Sequence, residues 1–209
     1  MLNQKLDLLV LEQRNNMIIK YNQFITENTN NGILIIVDVQ KEFEKFIPQG
    51  YVDQLINYCK KFHTVYQIWD SNDANKPSYT FPNQKSAIIK KFGTKFSDEL
   101  EKTVAQLNKK HPNAKEGDIF EFEDVNSYIV RVKNNHGWFY VPEKMAELFK
   151  SLKGKNVVLV GGANGECLKD VYEAMEAFGI KPQYNKSFIY SAKTNNSQQF
   201  DPKTQPNLI

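Results

Sequence analysis

Short runs of apolar residues alternate along this chain with stretches in which apolar residues recur at helical spacing. Runs of β-branched and aromatic residues predict strands at residues 33–37, 65–69, 157–160 and 187–190. Apolar positions with helical periodicity predict helices over residues 52–62, 97–111, 142–152 and 166–178. Two further runs, residues 119–122 and 128–132, are predicted to pair with each other across a polar turn.

The alternation of strands and helices predicts the fold class and the domain organisation. We expect an α/β protein with a three-layer α/β/α, Rossmann-like arrangement and a mostly parallel sheet of five or six strands. Residues 32–190 are predicted to form this domain. Residues 1–31 are predicted to be a short helical extension, and residues 191–209 a polar tail.

Charge and composition narrow the classes of partner. Lys and Arg number 27 against 24 Asp and Glu, a net charge of +3 that argues against a dedicated nucleic-acid binder. No run approaches the roughly 20 apolar residues that a membrane helix needs, and the first residues lack the pattern of a signal peptide. Because the two cysteines are far apart in the sequence, we expect a reduced, cytoplasmic protein without a disulfide framework.

Three chemically distinct side chains follow predicted strands: Asp38, Lys133 and Cys167. Because ligand sites form at the carboxyl ends of parallel strands, an acid, a cation and a thiol at one sheet edge would make a nucleophilic site. Cys167 falls in the first turn of a predicted helix, where the helix dipole favours a thiolate. Each residue also has a simpler interpretation: Asp38 as a turn residue, Lys133 as a solvated lysine, and Cys167, like Cys59, as a buried apolar residue.

Three motifs resemble, in order and spacing, those of a known enzyme family. Residues 35–43 read IIVDVQKEF, residues 133–139 read KNNHGWF, and residues 161–167 read GGANGEC. They are similar to the D-x-Q-x-x-F, K-x-x-x-S-x-F and G-[VI]-A-T-D-x-C motifs of the isochorismatase-like cysteine hydrolases, which include nicotinamidases and carbamoylsarcosine amidases. Residues 92–94 match a further Gly-Thr pair of that family, and the resemblance covers about residues 32–190.

The resemblance implies a catalytic triad and an oxyanion hole. Cys167 would be the nucleophile, Asp38 the general base, and Lys133 the cation that orients Asp38. The backbone N–H groups of Ala163 and Cys167 would hold the oxyanion, with a cis peptide bond between Gly162 and Ala163. Four residues become candidates for the pocket wall, although ordinary core packing would also explain them: Gln40, Phe43, Trp138 and Phe139.

Departures from the family pattern bear on metal binding and substrate. Nicotinamidases hold a metal through a D-x-H motif and a further His, whereas here Asn72 stands two residues after Asp70. We therefore expect no bound zinc or iron and no cofactor. Gly137 replaces the usual Ser, and Asn164 and Gly165 replace the Thr and Asp of the nucleophile turn. These changes leave the substrate open.

The expected activity is cleavage of a small amide or carbamoyl C–N bond through a thioester. Because many members of the family are dimers or tetramers, the resemblance also implies a homo-oligomer.

The alternative is a catalytically silent member that acts as a binding or scaffolding module. Vinyl-ether hydrolysis is a weaker alternative, because that branch of the family usually lacks the nucleophilic Cys. An α/β-hydrolase triad is disfavoured, because all three histidines precede Cys167. Dinucleotide binding is disfavoured because the glycine spacing is not G-x-G-x-x-G.

Overall fold

The computed structural model of the chain describes residues 32–70, 79–90, 100–122, 124–133 and 137–193. Its strands, in chain order, are β1 (Ile33–Val37), β2 (Thr64–Asp70), β3 (Gln84–Lys90), β4 (Ile119–Phe122), β5 (Asp124–Arg131), β6 (Trp138–Val141), β7 (Val157–Gly161) and β8 (Gln183–Ile189). Its helices are α1 (Tyr51–Cys59), α2 (Leu100–Lys110), α3 (Glu143–Leu152) and α4 (Cys167–Ala177), and a 3₁₀ helix spans Lys41–Phe46.

Five of these strands form one parallel sheet in the order β3-β2-β1-β7-β8. β1 is central because its side chains are apolar on both faces. Leu34 and Ile36 pack into a hydrophobic cluster that contains residues of α1, whereas Ile35 and Val37 pack into a cluster with residues of α3 and α4. The five parallel strands and the helices between them confirm the prediction of an α/β fold with a mostly parallel sheet of five or six strands.

The other three strands form a separate antiparallel sheet in the order β4-β5-β6. The predicted pairing of residues 119–122 with 128–132 is confirmed, although β5 already begins at Asp124 and the connection is shorter than expected. The expectation that Lys133 follows a strand of the same sheet as Asp38 and Cys167 is wrong, because β5 belongs to the antiparallel sheet.

Two strands were not predicted from the sequence, β3 and β6. β3 lies at the edge of the parallel sheet, and its sequence QKSAIIK carries only three apolar residues between polar ones. Lysines and polar side chains are typical of edge strands, since they discourage pairing with another chain, but they also weaken the hydrophobic pattern. β6 has only four residues and begins shortly after β5, so the sequence there is too short to show the alternation of apolar and polar residues that predicts a strand.

The predicted helices agree with α1 to α4. Pro142 precedes the first residue of α3, and Gly179, at φ +79°, follows the end of α4. None of the described helices is long and apolar enough to cross a membrane. Several predictions fall outside the described residues: the helical extension at 1–31, Asn72, the Gly-Thr match at 92–94, residues 97–99 of the second predicted helix and most of the tail at 191–209.

Candidate active site

Asp38 directly follows β1 at the carboxyl edge of the parallel sheet. Its side chain is only 1% exposed, and its backbone N–H donates a hydrogen bond to the carbonyl oxygen of Ile68 at 2.9 Å. The backbone of Asp38 has φ +53°, in the left-handed region that Asp tolerates better than most residues. The sheet therefore ends in a buried carboxylate held by an unusual backbone conformation.

The turn after β7 lies beside Asp38 and has the backbone form that the resemblance implied. The peptide bond between Gly162 and Ala163 is cis, and the Gly162 N–H donates to the Val37 carbonyl oxygen at 3.0 Å. The N–H groups of Glu166 and Leu168 donate to the Ala163 carbonyl oxygen at 3.1 and 3.3 Å. The N–H of Ala163 itself donates no hydrogen bond within the described part of the chain.

Cys167 is the first residue of α4. This agrees with its predicted position in the first turn of a helix. The residue before it, Glu166, makes no side-chain hydrogen bond that caps this helix. The thiol is half-buried. It therefore lies at the positive end of an 11-residue helix, where a thiolate is favoured.

Asp38, Ala163 and Cys167 line one small cavity with a volume of about 60 Å³. The complete lining among the described residues is Asp38, Phe43, Phe46, Ala163, Glu166, Cys167, Tyr190 and Ala192. This space holds only a few ligand atoms, since typical small-molecule pockets enclose roughly 300 Å³ or more. The residues that carry a carboxylate, a thiol at a helix start and a candidate backbone donor thus line one cavity.

Tyr190 also belongs to this site and was not predicted. It follows β8, is 2% exposed, and donates its hydroxyl proton to the Asp38 carbonyl oxygen at 2.7 Å. Burial raises the pKa of Tyr190 well above its ordinary value, and the negative charges of Asp38 and Cys167 contribute to this rise. The sequence pattern predicted Tyr190 as the last residue of the strand at 187–190, so it did not mark Tyr190 as a site residue; in the structure β8 ends one residue earlier, at Ile189.

Lys133 has different surroundings. Its side chain is 59% exposed, and its ammonium lies 3.1 Å from a carboxylate oxygen of Glu116. The hydrogen bond and charge of Glu116 raise the pKa of Lys133, and Glu173 adds to the effect. Lys133 lines a separate, larger cavity of about 850 Å³, and it is not among the described residues that line the Asp38–Cys167 cavity.

The four candidates for the pocket wall lie in different places. Phe43 lines the Asp38–Cys167 cavity. Gln40 is 3% exposed and donates a hydrogen bond to Glu42 at 3.1 Å. Trp138 packs in a cluster with Leu107 and donates to Asn108 at 2.9 Å, and Phe139 lies in the main core. Gln40, Trp138 and Phe139 are not among the described lining residues.

The described residues contain no group of three or more His, Cys, Asp or Glu side chains that could hold a metal ion. Comparison of the chain with family models, with curated proteins and with solved structures finds no match. The resemblance to the isochorismatase-like hydrolases therefore depends on the motifs in the sequence.

Proposed function

We propose that this protein is a cysteine hydrolase that cleaves a small amide or carbamoyl C–N bond through a thioester at Cys167. The single observation that carries the proposal is the meeting of Asp38, Ala163 and Cys167 around one cavity. Nucleophilic catalysis by a thiol needs a nearby base and a donor for the developing oxyanion, and these three residues supply both.

The proposed reaction begins with transfer of the thiol proton of Cys167 to the carboxylate of Asp38. The sulfur attacks the carbonyl carbon, and the resulting oxyanion accepts hydrogen bonds from the N–H groups of Ala163 and Cys167. The C–N bond breaks as the leaving nitrogen takes the proton from Asp38. Water, deprotonated by Asp38, then attacks the thioester, and the thiol regains its proton as the acid is released.

Several finer expectations remain part of this proposal. They are the three-layer, Rossmann-like arrangement, membership of the isochorismatase-like superfamily, a homo-oligomeric state, a cytoplasmic location, and a site that needs no metal or cofactor. The role of Lys133 as the cation that orients Asp38, which the resemblance implies, is untested and forms no part of this proposal. Its ion pair with Glu116 and its place in a separate cavity do not support that role.

An activity screen with a matched pair of cysteine variants tests the proposal. The screen covers nicotinamide, pyrazinamide, N-carbamoyl amino acids and ureido acids. We expect Cys167→Ala to abolish turnover of any compound that is cleaved, because no other described thiol lines the cavity. Cys59→Ala serves as the control, since Cys59 is fully buried in the core around α1. Full turnover by the Cys167 variant would exclude the thioester mechanism.

The second candidate function is a catalytically silent binding or scaffolding module. The small volume of the cavity, about 60 Å³, and the separate position of Lys133 favour it. The reaction of Cys167 with iodoacetamide separates the two candidates. Alkylation at pH 7 much faster than that of a free thiol supports the enzyme, whereas a rate equal to that of a free thiol supports the silent module.

A further inference from the structure

Tyr190 connects the three backbone segments that build the site. Its hydroxyl donates to the Asp38 carbonyl oxygen at 2.7 Å, across 152 positions of sequence. Its own backbone N–H donates to the Gly161 carbonyl oxygen at 3.0 Å, and its ring lies so close to Gly162 that a Cβ atom there would overlap it. The position of the Tyr190 ring is therefore set by the turn that carries Ala163 and Cys167.

The backbone of Asp38 is the part of the site that most needs such support. A non-glycine residue at φ +53° occupies a sparsely populated region, and the direction of its side chain depends on that conformation. The Asp38 N–H is held by Ile68, and the Asp38 carbonyl is held by the Tyr190 hydroxyl. Loss of the second bond would release one end of the residue that carries the carboxylate.

The hydroxyl of Tyr190 acts as a donor and not as a base. Burial raises its pKa well above the ordinary value of 10, and the charges of Asp38, Cys167 and Glu166 act in the same direction. It therefore keeps its proton throughout the neutral range. Tyr190 lines the same cavity as Asp38 and Cys167.

We infer that Tyr190 is a positioning residue, whose hydrogen bond to the Asp38 carbonyl aims the Asp38 carboxylate at the Cys167 thiol. This inference rests on the proposed function, in which Asp38 exchanges protons with Cys167. Tyr190 acts through the backbone of Asp38, so its removal changes the efficiency of that exchange and leaves the thiol itself in place.

Tyr51 provides a matched control for the substitution. Its hydroxyl donates to the Phe188 carbonyl oxygen at 2.9 Å, and its ring meets the Tyr190 ring edge-on at 5.9 Å between centroids. Both tyrosines are buried, and each loses a hydrogen bond to a backbone carbonyl when replaced by Phe; the Tyr51 hydroxyl also accepts a hydrogen bond from the backbone of Gly161. Tyr51 is not among the described residues that line the cavity, so its variant reports the loss of a buried tyrosine hydroxyl that does not contact Asp38 through the bond under test.

The experiment follows alkylation of Cys167 by iodoacetamide between pH 5 and pH 10, with the labelled peptide identified by mass spectrometry. Four proteins are compared: wild type, Asp38→Asn, Tyr190→Phe and Tyr51→Phe. Asn tolerates a positive φ about as well as Asp, so Asp38→Asn removes the charge and keeps the backbone. Because a nearby negative charge disfavours a thiolate, Asp38→Asn is expected to move the pH midpoint of alkylation downwards.

We expect Tyr190→Phe to reproduce at least half of that displacement and Tyr51→Phe to leave the midpoint at the wild-type value. The midpoints of thermal unfolding of the two Tyr variants should fall by similar amounts. With a cleaved substrate, Tyr190→Phe should lower kcat about tenfold at nearly constant KM, since small misplacements of reacting groups cost this much or more.

A wild-type alkylation midpoint in Tyr190→Phe, together with a clear displacement in Asp38→Asn, would overturn the inference and leave the proposed function standing. A wild-type midpoint in Asp38→Asn would instead overturn the role of Asp38 as the base, and with it the proposed function.

Discussion

Val37 and Gly161 lie opposite each other at the carboxyl ends of β1 and β7, and only a glycine fits at the second position. The two residues are partners in the parallel ladder, and the next N–H, that of Gly162, donates to the Val37 carbonyl oxygen at 3.0 Å. A Cβ atom on Gly161 would overlap this oxygen and would lie 2.8 Å from the Val37 nitrogen. The close approach brings the nucleophile turn against the strand that carries Asp38.

The first prediction tests the close contact between Gly161 and the backbone of Val37. We expect Gly161→Ala to lower the free energy of unfolding by more than about 3 kcal/mol, because overlap with a rigid backbone adds to the strain of φ +107°. Gly165→Ala is the control, since Gly165 has φ +75° but, apart from its chain neighbours, no atom of the described residues lies within 4 Å of the added Cβ. Gly165→Ala should lower the free energy of unfolding by about 1–2 kcal/mol, because it adds only the strain of a positive φ. Equal losses in urea unfolding would contradict the assigned contact.

The second prediction concerns Cys59 and alkaline pH. Burial raises the pKa of Cys59 from 9.0 to about 12. Because the folded protein then binds the proton more tightly than the unfolded chain, the stabilisation is complete below about pH 8.5 and is lost as pH rises towards 12. The expected slope is about 1.4 kcal/mol per pH unit above the unfolded pKa.

Urea unfolding of wild type and Cys59→Ala at pH 8 and pH 10 measures this slope. The wild type should lose more stability than the variant over this interval, by about 1–2 kcal/mol. The other titrating groups, Cys167 included, are present in both proteins. The charge of Cys59 acts on Tyr51 and Tyr58, but it is absent while the buried thiol keeps its proton, so the contributions of these groups cancel up to pH 10. Parallel losses in the two proteins would show that Cys59 titrates alike in the folded and unfolded chains.

The third prediction separates Lys133 from the thiol site. Lys133 pairs with Glu116 in a cavity that does not contain Cys167 among its described lining residues. We expect Lys133→Met to retain turnover within about threefold of the wild type, similar to Glu116→Gln, because exposed ion pairs contribute little. Steady-state kinetics with an amide that the wild type cleaves measures the turnover of both variants. A loss as large as that of Cys167→Ala would place Lys133 in the triad, as the family resemblance implies.

The fourth prediction assigns Trp138 to the structure of the antiparallel sheet. Its indole N–H donates to the Asn108 side chain of α2 at 2.9 Å, and its ring lies 5.1 Å from the Arg131 guanidinium. Trp138→Phe should lower the free energy of unfolding by about 1–2 kcal/mol through loss of this bond and of packing. Asn108→Ala in a double-mutant cycle isolates the bond. Alkylation of Cys167 should be unchanged in both variants, and a changed rate would bring Trp138 into the pocket wall.

Much of the local structure was predictable because it depends on neighbouring residues. The apolar run at β1 predicted a strand buried on both faces, and the helical spacing after Gly165 predicted a helix that begins near Cys167. The position of Cys167 at the start of a helix follows from that spacing alone. Pro142 and Gly179 mark helix ends through the backbone angles that they favour.

The pairing of strands and the composition of the site were decided by tertiary structure. The pattern of residues 128–132 predicted a strand, but not that β5 would join an antiparallel sheet and carry Lys133 to a separate cavity. The bond from Tyr190 to Asp38 likewise joins residues 152 positions apart. Hydrophobic periodicity indicates whether a segment is buried, because the preference of each side chain for the core depends on that side chain's own chemistry. It does not report which segment lies beside it, since that choice depends on the packing of the whole chain.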